Sequence, residues 1–355
     1  MSLYEGKDIN LKEEPYCFAC QYYDDRSVVS ELKRCSRCHA AWYCSAQCQK
    51  RHFQEHRSLC KRIGGETNIV DLMAYPLQHI PMDDTVINLF ETHVGELGAI
   101  DVAKDYLDAL SSLANSCWNS AYEWEVKEVW EKSLSHYLEL LRLDVGHRCE
   151  TRFRVPFILL YLNRDDDAYC FMRYWINFGV EDDDTILARH ASSRQGDWLY
   201  PVEPNCRYND VAEESSSKLE ETQYTLPHLV ALAIIKMRIV AMGNAISQTL
   251  DFTFQETACK QIQEVRPIVQ EVLAGFDINS QHQQLDRILD LIYHGEPSLL
   301  STILESVHIS ETRRPVELID ALNGHNVSLK DFILLNGLRL FLRVPGAVDI
   351  LRQRG

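Results

Sequence analysis

The distribution of apolar residues predicts a helical protein after residue 82. Apolar positions recur there every three or four residues, and Pro and Gly are sparse, which is typical of amphipathic helices. In the segment 119–143 one broad apolar face contains Tyr122, Val126, Val129, Trp130, Leu134, Tyr137, Leu138 and Leu141. The same spacing predicts helices over 83–95, 100–116, 119–143, 150–162 and 166–178.

The helical pattern is interrupted once, over residues 181–224. This segment contains EDDD, two prolines and EESSSKLEE, and we interpret it as a long, partly disordered acidic loop. Helices resume with Thr225 as the capping residue and are predicted to about Gln248, then over 256–275, 283–304, 315–323, 328–341 and 346–352. The body is therefore predicted to be all-α. Stacking into an α-solenoid is compatible with it, although no strict repeat period is visible.

The first 62 residues show a different pattern, with few aliphatic residues and many cysteines. We therefore divide the chain into an N-terminal tail (1–16), a metal-binding finger (17–62), a connector from Gly64-Gly65 to Pro81 (63–82), a helical subdomain (83–180), the acidic loop (181–224) and a C-terminal helical subdomain (225–355).

Seven of the twelve cysteines lie between residues 17 and 60, beside one histidine in metal-ligand spacing. The eight candidate ligands are Cys17, Cys20, Cys35, Cys38, Cys44, Cys48, His56 and Cys60. Two C-x-x-C pairs form knuckles, and the last four residues form two i, i+4 pairs that share a helical face. The remaining cysteines (Cys117, Cys149, Cys170, Cys206 and Cys259) are scattered singly and are interpreted as packed thiols.

Eight nitrogen and sulfur ligands satisfy two tetrahedral zinc ions with no open position, which is typical of structural sites. Iron–sulfur clusters are disfavoured, since each would need four thiolates and His56 is among the ligands. So small a segment depends on its metal, and each structural zinc contributes roughly 10–16 kcal/mol to folding. The spacing alone leaves open whether the two sites take their ligands sequentially or in an interleaved order.

The pattern resembles the MYND zinc finger family. The likeness is carried by the two C-x-x-C pairs, by Tyr43-Cys44, by Gln49 directly after the C-x3-C pair, and by the His56-x3-Cys60 pair. The resemblance implies an interleaved order. One zinc ion would bind Cys17, Cys20, Cys44 and Cys48, and the other Cys35, Cys38, His56 and Cys60.

The same resemblance implies a protein-interaction module, since some MYND fingers bind short proline-rich peptides in a shallow groove. By motif position, the groove residues would be Ser36, Gln49 and Phe53. The chain departs from the family at Phe53, where a tryptophan is usual, so an indole donor is lost. The segment from Leu134 to Trp175 also resembles a helical region of uncharacterised fungal MYND-finger proteins, which implies no activity.

The cysteine-rich segment and the rest of the chain also differ in net charge. The net charge is −16, yet residues 1–62 carry a balance of +3 and the remainder −19. An acidic body disfavours nucleic acid and anionic lipid and favours basic partner segments. The N-terminus lacks the apolar stretch of a signal peptide, and the apolar run from Leu229 to Ile235 is too short to span a bilayer. We expect a soluble intracellular protein of the cytoplasm or nucleus.

These observations favour an adaptor that docks a partner through the finger and offers the helical body as a second surface. One alternative is an enzyme, or a subunit regulating one, with an unrecognised all-α site. We expect no enzyme, because SET, P-loop, dinucleotide and hydrolase motifs are all missing. His52, in the peptidase-like H52-F-Q-E-H56, is expected to be exposed, and Asp165–Asp167 to form a solvated helix N-terminus. The other alternative is a nuclear regulator contacting DNA through the basic residues around the finger.

Overall fold

The computed structural model describes residues 5–20, 32–82, 85–146, 149–176, 183–210, 226–256, 277–310 and 328–354. The described part after the finger is predominantly helical, which confirms the all-α body. The solenoid arrangement stays a prediction. The α-helices are α1 (Ala46–Gln78), α2 (Leu89–Thr92), α3 (Asp101–Trp124), α4 (Lys127–Leu143), α5 (Cys149–Tyr161), α6 (Asp165–Ile176), α7 (Asp183–Ala191), α8 (Leu226–Glu256), α9 (Ile278–Gly295), α10 (Pro297–Ser310), α11 (Leu329–Arg343) and α12 (Ala347–Arg352).

Two short antiparallel strand pairs accompany the helices. Strand β1 (Lys33–Arg34) pairs with β2 (Trp42–Tyr43) inside the finger, and β3 (Ile80–Met82) pairs with β4 (Thr85–Ile87). The helix predicted over 83–95 is therefore wrong. Thr85, Val86 and Ile87 are β-branched and favour the extended backbone, and only the four-residue α2 follows them.

The chain divides into two compact units, which cross the predicted boundaries. The finger unit comprises Ile9–Ile158 and Gly179–Leu199, and the carboxy-terminal unit comprises Met1–Asp8, Leu159–Phe178 and Tyr200–Gly355. The finger thus belongs to the same unit as α3 and α4, whereas the predicted domain boundaries separate it from them.

Helix α1 replaces most of the predicted connector over 63–82. It begins after Ser45, whose side chain accepts a hydrogen bond from the Cys48 N–H at 3.2 Å, and it continues through Gly64 and Gly65 to Gln78. A Cβ atom on Gly64 would lie 2.6 Å from Cγ of Arg37. This glycine therefore permits close contact with the Arg37 side chain and does not end the helix.

Helices α3 and α4 form an antiparallel pair that contacts the finger. Glu125 ends α3 in the left-handed region, with φ of 58°, and Val126 precedes α4. Trp118 stacks on Tyr122 at 4.8 Å between centroids and meets Trp130 edge-on at 6.3 Å. These large buried rings make the pair a rigid support.

Residues 9–16, which belong to the predicted N-terminal tail, contact the turn between α3 and α4. The Lys12 N–H donates to the Glu125 carbonyl at 2.8 Å, and the Lys127 N–H donates to the Lys12 carbonyl at 3.0 Å. Leu11 is buried beside this contact. The backbone on both sides of the α3–α4 turn thus holds the segment that leads into Cys17.

Helix α8 forms the core of the carboxy-terminal unit. Every residue from Leu226 to Ala241 is buried. Its segment Leu226–Thr249 is long and apolar enough to cross a membrane by length and composition, but most of it is covered by protein. The apolar run 229–235 is too short to span a bilayer, but the whole helix is not. Its burial therefore identifies α8 as a core helix.

Two cations are buried on α8. The Arg238 guanidinium bonds to the Asp165 carboxylate at 2.7 Å and to the Leu160 carbonyl at 3.1 Å. The Lys236 ammonium donates to the carbonyls of Arg207 and Asn209 at 2.7 and 2.9 Å. The expectation that Asp165 is solvated is therefore wrong, because the carboxylate is the partner of a buried arginine.

Several further expectations have mixed outcomes. Residues 283–304 are not one helix, since Pro297 starts α10 one residue after α9 ends. Part of the acidic segment 181–224 forms α7, and its residues 211–224 lie outside the described ranges. The helix predicted over 256–275 lies outside them except for Glu256, which ends α8, and the helix predicted over 315–323 lies wholly outside them.

Candidate metal centre

The first metal site joins the first knuckle to the start of α1. Cys17 and Cys20 approach from the loop, and Cys44 and Cys48 lie before and within the first turn of the helix. The sulfur of Cys20 lies 3.8 Å from that of Cys44 and 3.4 Å from that of Cys48, and the last two are 3.5 Å apart. Four sulfurs thus converge on one point.

The second site joins the second knuckle to the next turns of α1. Its ligands are Cys35, Cys38, His56 and Cys60, all of them buried. The sulfurs of Cys35 and Cys60 are 3.7 Å apart, and Nε2 of His56 lies 3.4 Å from the Cys38 sulfur. The two sites therefore interleave along the chain, which decides the question that spacing leaves open.

The distances fit zinc. Zn–S bonds of about 2.3 Å place the sulfurs of a regular tetrahedron roughly 3.8 Å apart. All four ligand atoms of each site lie within 4.8 Å of one another. The residues present therefore form two closed zinc sites with four ligands each. The first offers four cysteine thiolates, and the second offers three cysteine thiolates and one histidine nitrogen.

In each site at least one thiol has a raised pKa. Contact with the Cys48 sulfur raises the pKa of Cys20 to about 12. Burial, aided by the charges of Cys35 and Cys60, raises the pKa of Cys38 well above its usual range. These thiols would hold their protons without a metal, and zinc keeps them as thiolates.

Burial lowers the pKa of the His56 imidazole to about 4, which favours its role as a zinc ligand. The ring is therefore neutral at physiological pH, which is the form that binds zinc. Outer groups hold the ligand loops. The Ala40 N–H points to the Cys38 sulfur at 3.5 Å, and the Arg51 guanidinium donates to the Ala19 carbonyl at 2.8 Å.

His52 is buried, and the expectation that it is exposed is wrong. Its Nδ1 lies 3.0 Å from the Tyr43 hydroxyl, and its ring meets Trp124 edge-on at 5.0 Å. The position lies one turn before His56, and the two rings stack at 5.8 Å. His52 therefore packs the finger against α3 and is not among the zinc ligands.

Phe18 also packs the finger against α3. It is 1% exposed, lies between two ligand positions, and stacks on Trp124 with ring centroids 4.5 Å apart. The Lys132 ammonium of α4 also donates to the Cys38 carbonyl at 3.3 Å. Sequence reasoning missed this interface. The one signal for it is the aromatic residue inside the first C-x-x-C pair, where a small polar residue would serve the turn equally well.

The residues proposed for peptide binding all lie at the surface. Ser36 follows the first ligand of the second knuckle and is exposed. Gln49 and Phe53 lie one turn apart on α1, and Phe53 is 53% exposed. The Arg57 guanidinium lies 6.0 Å from the Phe53 ring centroid, so the next turn continues the same face.

The scattered cysteines are packed as expected where their side chains are described. Cys117, Cys170 and Cys206 are buried. The sulfurs of Cys170 and Cys206 lie 3.1 Å apart, and burial raises the pKa of Cys206. The Cys149 side chain and Cys259 lie outside what the structure describes.

Two knuckles and one helix that share two interleaved, closed sites define a cross-braced, two-zinc finger. Residues 17–60 match the family model of the MYND finger, so this segment is a MYND finger. The match covers about an eighth of the chain. Comparison of the chain with curated proteins and with solved structures gave no match. The resemblance of the body to fungal proteins therefore stays a prediction.

Proposed function

We propose that this protein is an adaptor whose finger binds a short, proline-rich peptide of a partner protein. MYND fingers generally mediate protein–protein interactions. The observation that carries the proposal is the exposed Phe53 ring on a helix turn that lies between zinc ligands. A soluble protein of the cytoplasm or nucleus, where thiols stay reduced, fits these ligands.

The closed zinc sites support a docking role. Each ion has four protein ligands, so no position is left for an activating water molecule or a substrate. The zinc ions would therefore stabilise the fold of the finger, and a partner would contact the side chains on the finger surface.

The surface around Phe53 suits an extended peptide. The flat ring packs against proline rings, and the Gln49 amide, one turn earlier, both donates and accepts hydrogen bonds to a peptide backbone. Ser36 adds a hydroxyl from the second knuckle. A proline-rich ligand is already extended and loses little entropy on binding.

Fluorescence anisotropy with labelled proline-rich dodecapeptides tests this function. Phe53→Ala should weaken binding at least about tenfold, which corresponds to about 1.4 kcal/mol. Phe53→Trp restores an indole donor and should keep or strengthen binding. Gln54→Ala, at an exposed neighbouring position, is the matched control and should bind like wild type. Equal binding by the Phe53→Ala and Gln54→Ala variants, each with two zinc ions, would remove this surface from the proposal.

The enzyme alternative would need reactive groups in a cavity. The finger unit has a cavity of about 740 Å³ lined in part by Tyr106, Glu139 and Arg142. Glu139 and Arg142 are both buried and bond to each other through two contacts of 2.7 Å. Since each charge is balanced by the other, we propose a structural role for this pair.

The DNA alternative would need the basic residues of the finger to face phosphates. Arg34 forms an ion pair with Glu128 and lies 5.4 Å from the Trp42 ring centroid. Arg51 is bonded to the Ala19 carbonyl. Because Arg34 and Arg51 are engaged in contacts within the finger unit, we favour the protein partner.

A further inference from the structure

A second surface lies on the finger unit, away from the zinc sites. The distal half of α1 and the first half of α3 enclose an open groove of about 380 Å³. Its α1 wall consists of Glu66, Ile69 and Met73. Its α3 wall includes Asp105, Asp108 and Ala109. We call this feature the α1–α3 groove.

Each wall of the groove is formed by one face of its helix. The α1 residues follow each other at i, i+3 and i+7, and the α3 residues at i, i+3 and i+4, so each wall is one continuous helical stripe. Seven residues of helix span about 10 Å, or two turns. A partner segment of about three turns would therefore cover the groove.

The groove and its margins expose large apolar side chains. Ile69 is 45% exposed, Leu72, one turn further along α1, is 74% exposed, and Val102, one turn before Asp105, is 66% exposed. Exposed apolar residues that continue the walls of a groove are typical of an interaction site. Burying them under a partner's apolar face would remove this surface from water.

The charge of the groove selects the partner. Residues 66–78 carry two carboxylates and no basic residue, and residues 99–113 carry three carboxylates and one lysine. That lysine, Lys104, is bonded to Asp101 at 2.6 Å. Glu66 is half-buried, and burial raises the pKa of its carboxyl group although the Ser116 hydrogen bond and the Arg62 charge lower it, so a further cation would still be favourable there.

We propose that the α1–α3 groove binds a basic amphipathic helix of a partner protein. The apolar stripe of that helix would lie along Ile69, Met73 and Ala109, and its lysine or arginine residues would face Glu66, Asp105 and Asp108. This site is separate from the finger surface of the proposed function and does not depend on it.

The test uses three synthetic sixteen-residue probes of equal length. The first places leucine at i, i+3, i+4 and i+7 on a lysine-rich helix, the second replaces its lysines with glutamate, and the third keeps the first composition with the leucines scrambled. Isothermal titration with the intact, zinc-loaded protein should show binding of the first probe. The other two should bind at least about tenfold more weakly, because each lacks the charge or the stripe.

Matched variants locate the site. Ile69→Ser together with Val102→Ser should weaken binding of the first probe about tenfold or more, whereas Val202→Ser, an exposed valine of the other unit, should leave it unchanged. Asp105→Asn with Asp108→Asn should weaken it about three- to tenfold at 50 mM salt and little at 500 mM salt. Phe53→Ala should not affect it.

Three results would overturn the proposal. One is equal binding of the lysine and glutamate probes. Another is equal binding by the Ile69→Ser/Val102→Ser variant and wild type. The third is a shift from dimer to monomer in sedimentation of that variant without any probe, which would show that a second copy of this chain occupies the groove. Loss of peptide binding in Phe53→Ala, by contrast, concerns the finger alone.

Discussion

The finger and helix α8 are both well packed, but for different reasons. Between Cys17 and Cys60 the interior consists largely of thiols, His56 and aromatic rings, brought together around two metal positions. Along Leu226–Ala241 every residue is buried, and the interior is nearly continuous aliphatic surface. The finger is organised around two metal positions, and α8 is organised by the burial of its first sixteen residues.

The difference teaches how each region responds to change. Coordination depends on every ligand and on its protonation state, so the finger should fail abruptly. Aliphatic burial is distributed over many side chains and should fail gradually. Helix α8 nevertheless contains two buried cations, Arg238 and Lys236, and at these positions a single substitution should matter more than at an aliphatic position of the helix.

The largest expected effect comes from the removal of a zinc ligand in the finger. His56→Ala should release zinc and unfold the finger, since the roughly 10–16 kcal/mol supplied per zinc ion exceeds or matches the stability of a whole domain. Metal content should fall below two ions, and hydrogen exchange should increase over the start of α1. Exchange over Leu226–Ala241 should not change. His39→Asn, at an exposed position of left-handed backbone, is the control and should keep both ions. Full zinc content in His56→Ala would refute the ligand assignment.

The next effect sharpens the comparison by separating metal from packing within the finger unit. Phe18→Ala should lower the free energy of unfolding by about 3–5 kcal/mol while zinc remains bound, because it removes a buried ring from Trp124. Urea denaturation and a zinc assay on the same samples measure both quantities. Phe53→Ala, which truncates an exposed ring of the same finger, should stay within about 0.5 kcal/mol of wild type. Equal effects of the two substitutions would mean that the finger does not depend on α3.

The third prediction concerns the buried ion pair of Arg238 in α8, and its expected effect is similar to that of Phe18→Ala or smaller. Arg238→Ala should destabilise the carboxy-terminal unit by about 3–5 kcal/mol, because it leaves the Asp165 carboxylate buried without its partner. The double variant Arg238→Met/Asp165→Leu removes both charges and should recover most of the loss. Urea denaturation followed by hydrogen exchange over 226–241 measures it. A double variant less stable than Arg238→Ala would show that the ion pair stabilises this unit.

The smallest expected effect is a dependence on pH at Lys236. Burial lowers its pKa to about 7, from an ordinary value of 10.5. Between these values the unfolded chain binds more protons than the folded one, so stability should increase as pH rises from 7 to 10.5. The expected change is on the order of a few kcal/mol.

Denaturation of wild type and Lys236→Met at several pH values gives the contribution of Lys236 as a difference. The variant should show a flatter profile over this window. Parallel profiles for the two proteins would mean that the three bonds of Lys236 to Arg207, Asn209 and Gln281 keep it charged and its pKa near normal.

Much of the zinc centre could be predicted, because its information is local. The C-x-x-C and i, i+4 spacings identify all eight ligands, and the resemblance to MYND fingers supplies their order. His52 could not be interpreted in the same way. Its burial depends on Trp124, which lies 72 positions later in the chain. A histidine with polar neighbours is typical of a surface until the opposing helix is known.

The helical body shows the same limit. The periodicity predicts most of the helical segments, since helical spacing repeats many times in each, but it does not predict all of their ends. The predicted helices are 100–116 and 119–143, whereas α3 continues to Trp124 and α4 begins at Lys127. The periodicity does not predict the β3–β4 pair, whose three-residue strands are too short to establish a period. Nor does it predict that α1 passes through Gly64 and Gly65, where at Gly64 the missing side chain leaves room for Arg37 of the finger.

The sequence by itself determined the metal, its eight ligands and the predominance of helix, since spacing along the chain controls coordination and helical faces directly. Only the tertiary structure decided that the finger shares a unit with α3 and α4, and that Phe18 and His52 pack on Trp124. It alone placed Asp165 against Arg238 and formed the α1–α3 groove. Each of these depends on residues distant in sequence becoming neighbours, and the free energy of such contacts exists only once the chain has folded.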